Sequence, residues 1–234
     1  MPGWRRENAA NLELKGKLAT AGVTHDLAFG VLRSTIRDRL PDYAYNFAGT
    51  GNVAGTAIVA PSPDAVFAGT SQDERSLEFS ARDAMHWNER LTTWLGVRHT
   101  RLDRASAAND GTGATSYAQS ITTPWAAVSY KLDDTVTAYA SWGQGVESQV
   151  VPNNAAVYAN PGAVLPALKS RQWEAGVKGA RNALAWQLAW FDIRQPVSNI
   201  DFCNITFSLC TGQFDGAQVH RGLEAAAQRV AEAG

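Results

Sequence analysis

The sequence predicts an all-β protein: an antiparallel up-and-down transmembrane β-barrel, with long loops at one end of the sheet and short turns at the other. Three features carry that expectation. Apolar and polar residues alternate with period two, the alternating segments are longer than the strands of water-soluble sheets, and the connections switch regularly between short and long.

The alternation is read strand by strand. At 9–20, Leu12, Leu14 and Leu18 oppose Glu13, Lys15 and Lys17; a second segment runs over 24–38. At 73–86, Leu77, Phe79 and Ala81 oppose Glu78, Ser80 and Arg82, and further segments cover 89–104 and 119–130. Over 134–147 the pattern softens, with Val136, Ala138, Ala140 and Trp142 against Thr137, Tyr139 and Ser141; over 170–179 it sharpens again at Trp173, Ala175 and Val177. Residues 183–194 admit two periods: Leu184, Leu188 and Phe191 have helical spacing, whereas Leu184, Trp186, Leu188 and Trp190 fill every second position. The tight turn before this segment and the matching period of the preceding strand decide for a strand. Leu184, Trp186, Leu188 and Trp190 are then expected to face lipid, and Ala185, Gln187 and Ala189 the lumen. A last strand is drawn at 216–229.

Short connections fall near residues 22, 87, 132 and 181, and long ones over 39–72, 105–118, 148–169 and 195–215. The long ones are rich in Gly, Asn, Ser, Thr and Pro, so all short turns gather at one end of the sheet. Backbone groups in lipid must all be paired, which permits a closed up-and-down barrel and forbids irregular connections at membrane depth. A water-soluble β-sandwich also alternates core and solvent, but its strands usually run about five or six residues. Trp142, Trp173 and Trp190 fall near the long-loop ends and Trp87 in a short turn, as two interfacial girdles require.

Composition narrows the functions. A net charge of −1 and a pI near 6.4 give no electrostatic footprint for nucleic acid or an anionic membrane surface, so no basic partner-binding face is expected. No window approaches 18 continuous apolar residues, which excludes a transmembrane helix, and "MPGWRRENAANLEL" lacks the apolar region of a signal peptide. The four histidines, His25, His86, His99 and His220, are scattered with no ligand spacing, and no metal site is expected. No nucleophile elbow or phosphate loop occurs, "GTGNVAG" at 49–55 reads as a flexible loop, and Asp133 and Asp134 read as turn residues, so catalysis is not expected. Cys203 and Cys210 have the wrong spacing for a redox or zinc pair; a local loop disulfide is preferred to two free thiols.

Four segments in order resemble the barrel of TonB-dependent siderophore receptors: "TTPWAAVSYKLDDTVTAYASWGQGVESQ" (122–149), "LKSRQWEAGVKG" (168–179), "LAWQLAWFDIRQP" (184–196) and "HRGLEAAAQ" (220–228). Residues 75–104 are similar to the paired strands of those receptors around a short turn. The resemblance implies an outer-membrane receptor and transporter, not an enzyme. Such a receptor has a barrel of about 22 strands with a plugged lumen, binds a ferric siderophore outside and is driven through TonB. Residues 1–234 are then expected to be a partial barrel domain with the plug domain absent, inactive and aggregation-prone alone because its sheet edges stay unpaired. The implied partners are a ferric siderophore as transported ligand, the TonB complex through the plug, and outer-membrane lipid. No cofactor and no nucleic acid is implied, and the location is the bacterial outer membrane. Expected ligand contacts at the long-loop ends are Tyr43, Tyr45, Phe47, Trp142, Gln144 and Tyr158, and a Cys203–Cys210 disulfide fits the closed loop some such receptors carry. A passive porin-like channel and a soluble glycan-binding β-sandwich are the competing functions.

Overall fold

A computed structural model describes residues 3–44, 49–56, 58–59, 66–181, 183–200 and 209–229. Nine long strands form one antiparallel sheet: β1 (Trp4–Thr20), β2 (Val23–Arg39), β7 (Thr70–His86), β8 (Leu91–Ala108), β9 (Thr115–Lys131), β10 (Val136–Glu147), β11 (Leu168–Arg181), β12 (Leu184–Ser198) and β13 (Phe214–Arg229). They pair in chain order, leaving β1 and β13 as edges among the described residues. Four two-residue strands lie between β2 and β7: β3 (Tyr43–Ala44) pairs with β6 (Val66–Phe67), and β4 (Thr50–Gly51) with β5 (Ile58–Val59). The period-two reading of 184–194 holds over the whole of β12.

Most long strands extend past the expected bounds, reaching 17 residues in β1 and 18 in β8. Alternation marks only the stretch of strand whose two faces meet different surroundings. Where the ladder continues into water on both sides, hydrogen bonding holds it and the pattern fades. For the same reason 105–118 is not a long loop. Ala105 pairs with Ser116 and Ser106 with Thr115, so only 109–114 connect β8 to β9.

The short turns are locally encoded. Ala21 and Gly22 both have positive φ, 51° and 84°, the combination a two-residue hairpin demands. After β7, the Asn88 side chain accepts the backbone N–H groups of Arg90 and Leu91 (both 2.9 Å). After β9, Asp133 does the same for Thr135 (2.7 Å) and Val136 (2.9 Å). These bonds draw the exposed Asp133 carboxyl below the ordinary range, the Thr135 contacts being the largest cause.

Residues directly opposed on paired strands share a face, so the registers sort every side chain. One face carries Leu12, Leu14, Phe29, Val31, Leu77 and Phe79, continuing through Val97, Val128 and Ala140 to Leu188, Trp190 and Leu223. Leu184, Trp186, Leu188 and Trp190 lie there together, and Leu12 and Leu188 are 73% and 46% exposed. Trp142 and Trp173, directly paired with ring centroids 5.9 Å apart, mark the long-loop limit of this apolar band. The opposite face carries Glu13, Lys15, Asp26, Glu78, Arg82 and Arg98.

On the polar face, aromatic rings lie over glycines of the neighbouring strand. Trp125 has Gly96 opposite on β8 and Gly143 on β10; Tyr139 opposes Gly176, and Phe191 opposes Gly222. A Cβ on Gly96 would come within 2.2 Å of the Trp125 ring.

The true interior lies in the loops. Val151 and Ala163 (0% and 4% exposed) pack with Tyr158, Leu165 and Ile200 in a small core between the 148–167 and 199–213 connections. Reciprocal bonds join these loops: Asn160 donates to the Gly212 carbonyl (2.9 Å) and accepts from the Gly212 N–H (2.8 Å).

Candidate functional site

The polar face is a lattice of ion pairs running toward the long loops. Glu13 accepts Lys15 and Arg82 (both 3.0 Å), Lys17 reaches Asp26 (3.2 Å), and Arg98 reaches Glu78 (3.0 Å). Nearest the loops, Arg104 meets Glu74 at 2.7 Å and is only 8% exposed. Charged side chains on one face of adjacent strands, each with a partner, suit a water-filled or protein-filled interior rather than lipid.

The 148–167 connection folds over this end of the polar face. Tyr117 donates to the Leu165 carbonyl (2.6 Å) and accepts from Arg104 (3.2 Å). Gln119 bonds Ala167 twice, donating to its carbonyl (2.8 Å) and accepting its N–H (3.0 Å). Ala167 in turn packs on Leu102 and Ile121, so the loop is anchored by apolar as well as polar contact. Between roof and strands remains a hollow of about 350 Å³, lined among others by Ile36, Glu74, Arg104, Val151, Asn153 and Val164. Its mixture of an ion pair, an amide and branched apolar groups suits a polar ligand with apolar parts.

A second support comes from the connection after β2. Tyr43 stacks on Phe67, with centroids 5.6 Å apart, and donates to the Asn153 carbonyl, while Asn153 donates to Ala68 (3.2 Å). Burial pushes the Tyr43 phenol above its ordinary value. Asp42 is held below the carboxylate range, first by the Gly69 N–H (2.8 Å) and then by the Asn109 amide (2.9 Å). Among the described residues no cluster of His, Cys, Asp or Glu could hold a metal ion.

Of the six expected ligand residues, Tyr43 lies at this roofed end, as a prop of the loop. Tyr45 and Phe47 lie outside the described residues. Tyr158 is 8% exposed and packs in the loop core, its hydroxyl donating to the Ile200 carbonyl (2.9 Å). Trp142 and Gln144 sit on the apolar face by register, opposite Trp173 and Arg171, and are turned away from the hollow. Cys210 is disulfide-bonded, and Cys203 lies outside the described residues. Arg104, Tyr117 and Gln119 were missed by sequence reasoning. Their strand positions are visible in the alternation, but the loop that folds onto them is 48 residues from Tyr117 and Gln119, and nothing local signals it.

A meander of long strands, apolar on one face, ion-paired on the other and capped by loops at one end, is the wall of an outer-membrane-type β-barrel. The chain belongs to the TonB-dependent receptor-like β-barrel family, whose model matches residues 3–230. Its fold is similar to the ferric preacinetobactin receptor BauA of Acinetobacter baumannii: 25% identity, TM-score 0.67, covering 95% of this chain and 34% of that one. The ferripyoverdine receptor of Pseudomonas aeruginosa matches with 19% identity and TM-score 0.70, over 98% of this chain and 31% of that one. The ferric yersiniabactin uptake receptor FyuA of Yersinia pestis matches with 18% identity and TM-score 0.62, over 97% and 33%. The chain thus spans about a third of the length of these receptors. No curated protein sequence matches it.

Proposed function

We propose that this chain forms part of the barrel wall of a bacterial outer-membrane receptor that imports a ferric siderophore with energy delivered through TonB. The observation that carries the reading is the division of the sheet into a lipid-compatible face and an ion-paired face roofed at the long-loop end. Three structural neighbours are by their names receptors for iron chelates. The family is one of transport receptors, and the hollow beneath the 148–167 connection offers binding groups without a set of catalytic residues. The ferric chelate is cargo in this reading, and the protein supplies no resident cofactor.

Disrupting the coding sequence in its native, iron-starved cells is expected to lower uptake of radioactive iron supplied as one of a panel of ferric catecholate and hydroxamate chelates. The protein is expected in the outer-membrane fraction. Unchanged uptake for every chelate would overturn the transport reading, and recovery in the aqueous fraction would overturn the membrane location.

A further inference from the structure

Acids and bases are not spread evenly along the strands of the polar face. Its lysines, Lys15, Lys17, Lys131 and Lys178, all lie in the half nearer the short turns. Beyond the Arg98–Glu78 pair toward the long loops, the described strands turn two arginines and no lysine to this face, and both arginines are taken. Arg5, which opposes Asp38 in the ladder, meets Glu7 at 2.6 Å, and Arg104 meets Glu74 at 2.7 Å. Asp38, Glu147 and Glu174 share that end of the face and have, among the described residues, no base within ion-pair distance. Glu174 is held by neutral donors, the Tyr139 hydroxyl (2.7 Å) and the Gln172 amide (3.3 Å). Asp38 lines the roofed hollow itself, beside Arg104 and Glu74. Arg37, Arg39 and Arg75, on the same stretch of β2 and β7, belong by register to the apolar side. The connections continue the imbalance: residues 40–69, 109–114, 148–167 and 199–213 contain Asp42, Asp64, Asp110 and Asp201 and no lysine, arginine or histidine.

We propose that the cargo taken at this end is a ferric chelate of zero or positive net charge, of the trihydroxamate class, and not an anionic tris-catecholate. This inference rests on the receptor reading above and names the chemistry of its cargo. Three hydroxamates each give up one proton and together neutralise ferric iron, whereas three catecholates each give up two and leave a trianion. A trianion entering the hollow would shed water beside Asp38 and Glu74 with no free base to compensate it, a cost that neutral hydrogen bonds do not offset. A neutral chelate needs polar donors and apolar walls, which Asn153, Ile36, Val151 and Val164 supply. An amine carried outside the iron centre would meet Asp38, and the surplus of carboxylates draws cations toward this end.

The test is equilibrium binding of radioactive ferric chelates to outer membranes of the native, iron-starved cells, with the coding sequence intact or disrupted. A neutral ferric trihydroxamate and one bearing a free amine are expected to lose binding on disruption, and a ferric tris-catecholate is expected to be unaffected. Rising salt should weaken binding of the amine-bearing chelate and leave that of the neutral one unchanged. Asp38→Asn, compared at matched amounts of protein in the membrane, is expected to lower binding of the amine-bearing chelate about threefold and to leave the neutral one unchanged. Loss of tris-catecholate binding on disruption overturns the charge assignment and leaves the receptor reading standing. Equal effects of Asp38→Asn on the two trihydroxamates, or none on either, overturn the part given to Asp38. If disruption changes the binding of no chelate, the receptor reading fails and this inference falls with it.

Discussion

In the strands, Leu12 and Leu14 stand 73% and 71% exposed, whereas in the loops above them Val151 and Ala163 are 0% and 4% exposed. The same residue classes are thus turned outward in one region and inward in the other. The apolar side chains of the wall form a surface suited to a solvent that welcomes hydrocarbon, and the charges of β1, β2, β7 and β8 pair on the opposite face. The loop cap stands in water and builds a small conventional core, with a buried tyrosine hydroxyl satisfied by the Ile200 carbonyl. Burial by itself therefore does not identify the structurally important residues of this molecule; the solvent outside each region has to be named first.

The contrast breaks most visibly at Leu188. Leu188→Arg places a charge on the lipid face, costing about 2 to 4 kcal/mol near the bilayer middle. Insertion into vesicles, measured as resistance to urea extraction, is expected to fall sharply, and wild-type insertion would remove the outward assignment of this face. Next in size, Val151→Ala opens a gap in the loop core worth about 2 kcal/mol. It is expected to speed proteolysis within 148–167 while leaving insertion unchanged; a loss of insertion would mean that cap and wall are not energetically separate. Tyr158→Phe removes one buried hydrogen bond, about 1 kcal/mol, and should have the same local effect on a smaller scale, with no change in proteolysis arguing against that bond.

The smallest effect separates the regions by pH. Asp42 is exposed, and its lowered pKa means that its bonds to Gly69 and Asn109 are present above the ordinary carboxylate range and are lost as pH falls through the depressed value. Hydrogen exchange at the Gly69 N–H is expected to accelerate, relative to wall amides, on acidification through that range. Asp42→Asn should abolish this pH response; a variant that keeps it would place the titrating group elsewhere.

The wall was largely legible in the sequence because alternation is a local signal. The glycine of the Ala21–Gly22 hairpin and the side chains at Asn88 and Asp133 likewise act within a few residues of where they stand. Strand ends were not legible, since outside the lipid band Asn8 or Ser116 can sit in a ladder without any hydrophobic partner. Of the residues expected at the loop ends, Tyr43 is the one described beside the roofed hollow. Trp142 was assigned to a ligand from its place at a loop end, but at such an end an aromatic can point either way, and a single step of register decides which. Arg104, Tyr117 and Gln119 acquire their roles from a loop distant in sequence, a relation that no periodicity contains.

The glycines beneath Trp125, Tyr139 and Phe191 bear on the relief of the polar face. A ring resting on a bare backbone lies along the wall and does not stand out from it, so three large side chains add little height to the polar face. Adding a methyl at Gly96, where the Trp125 ring is 2.2 Å from the new atom, would tip the indole toward the axis.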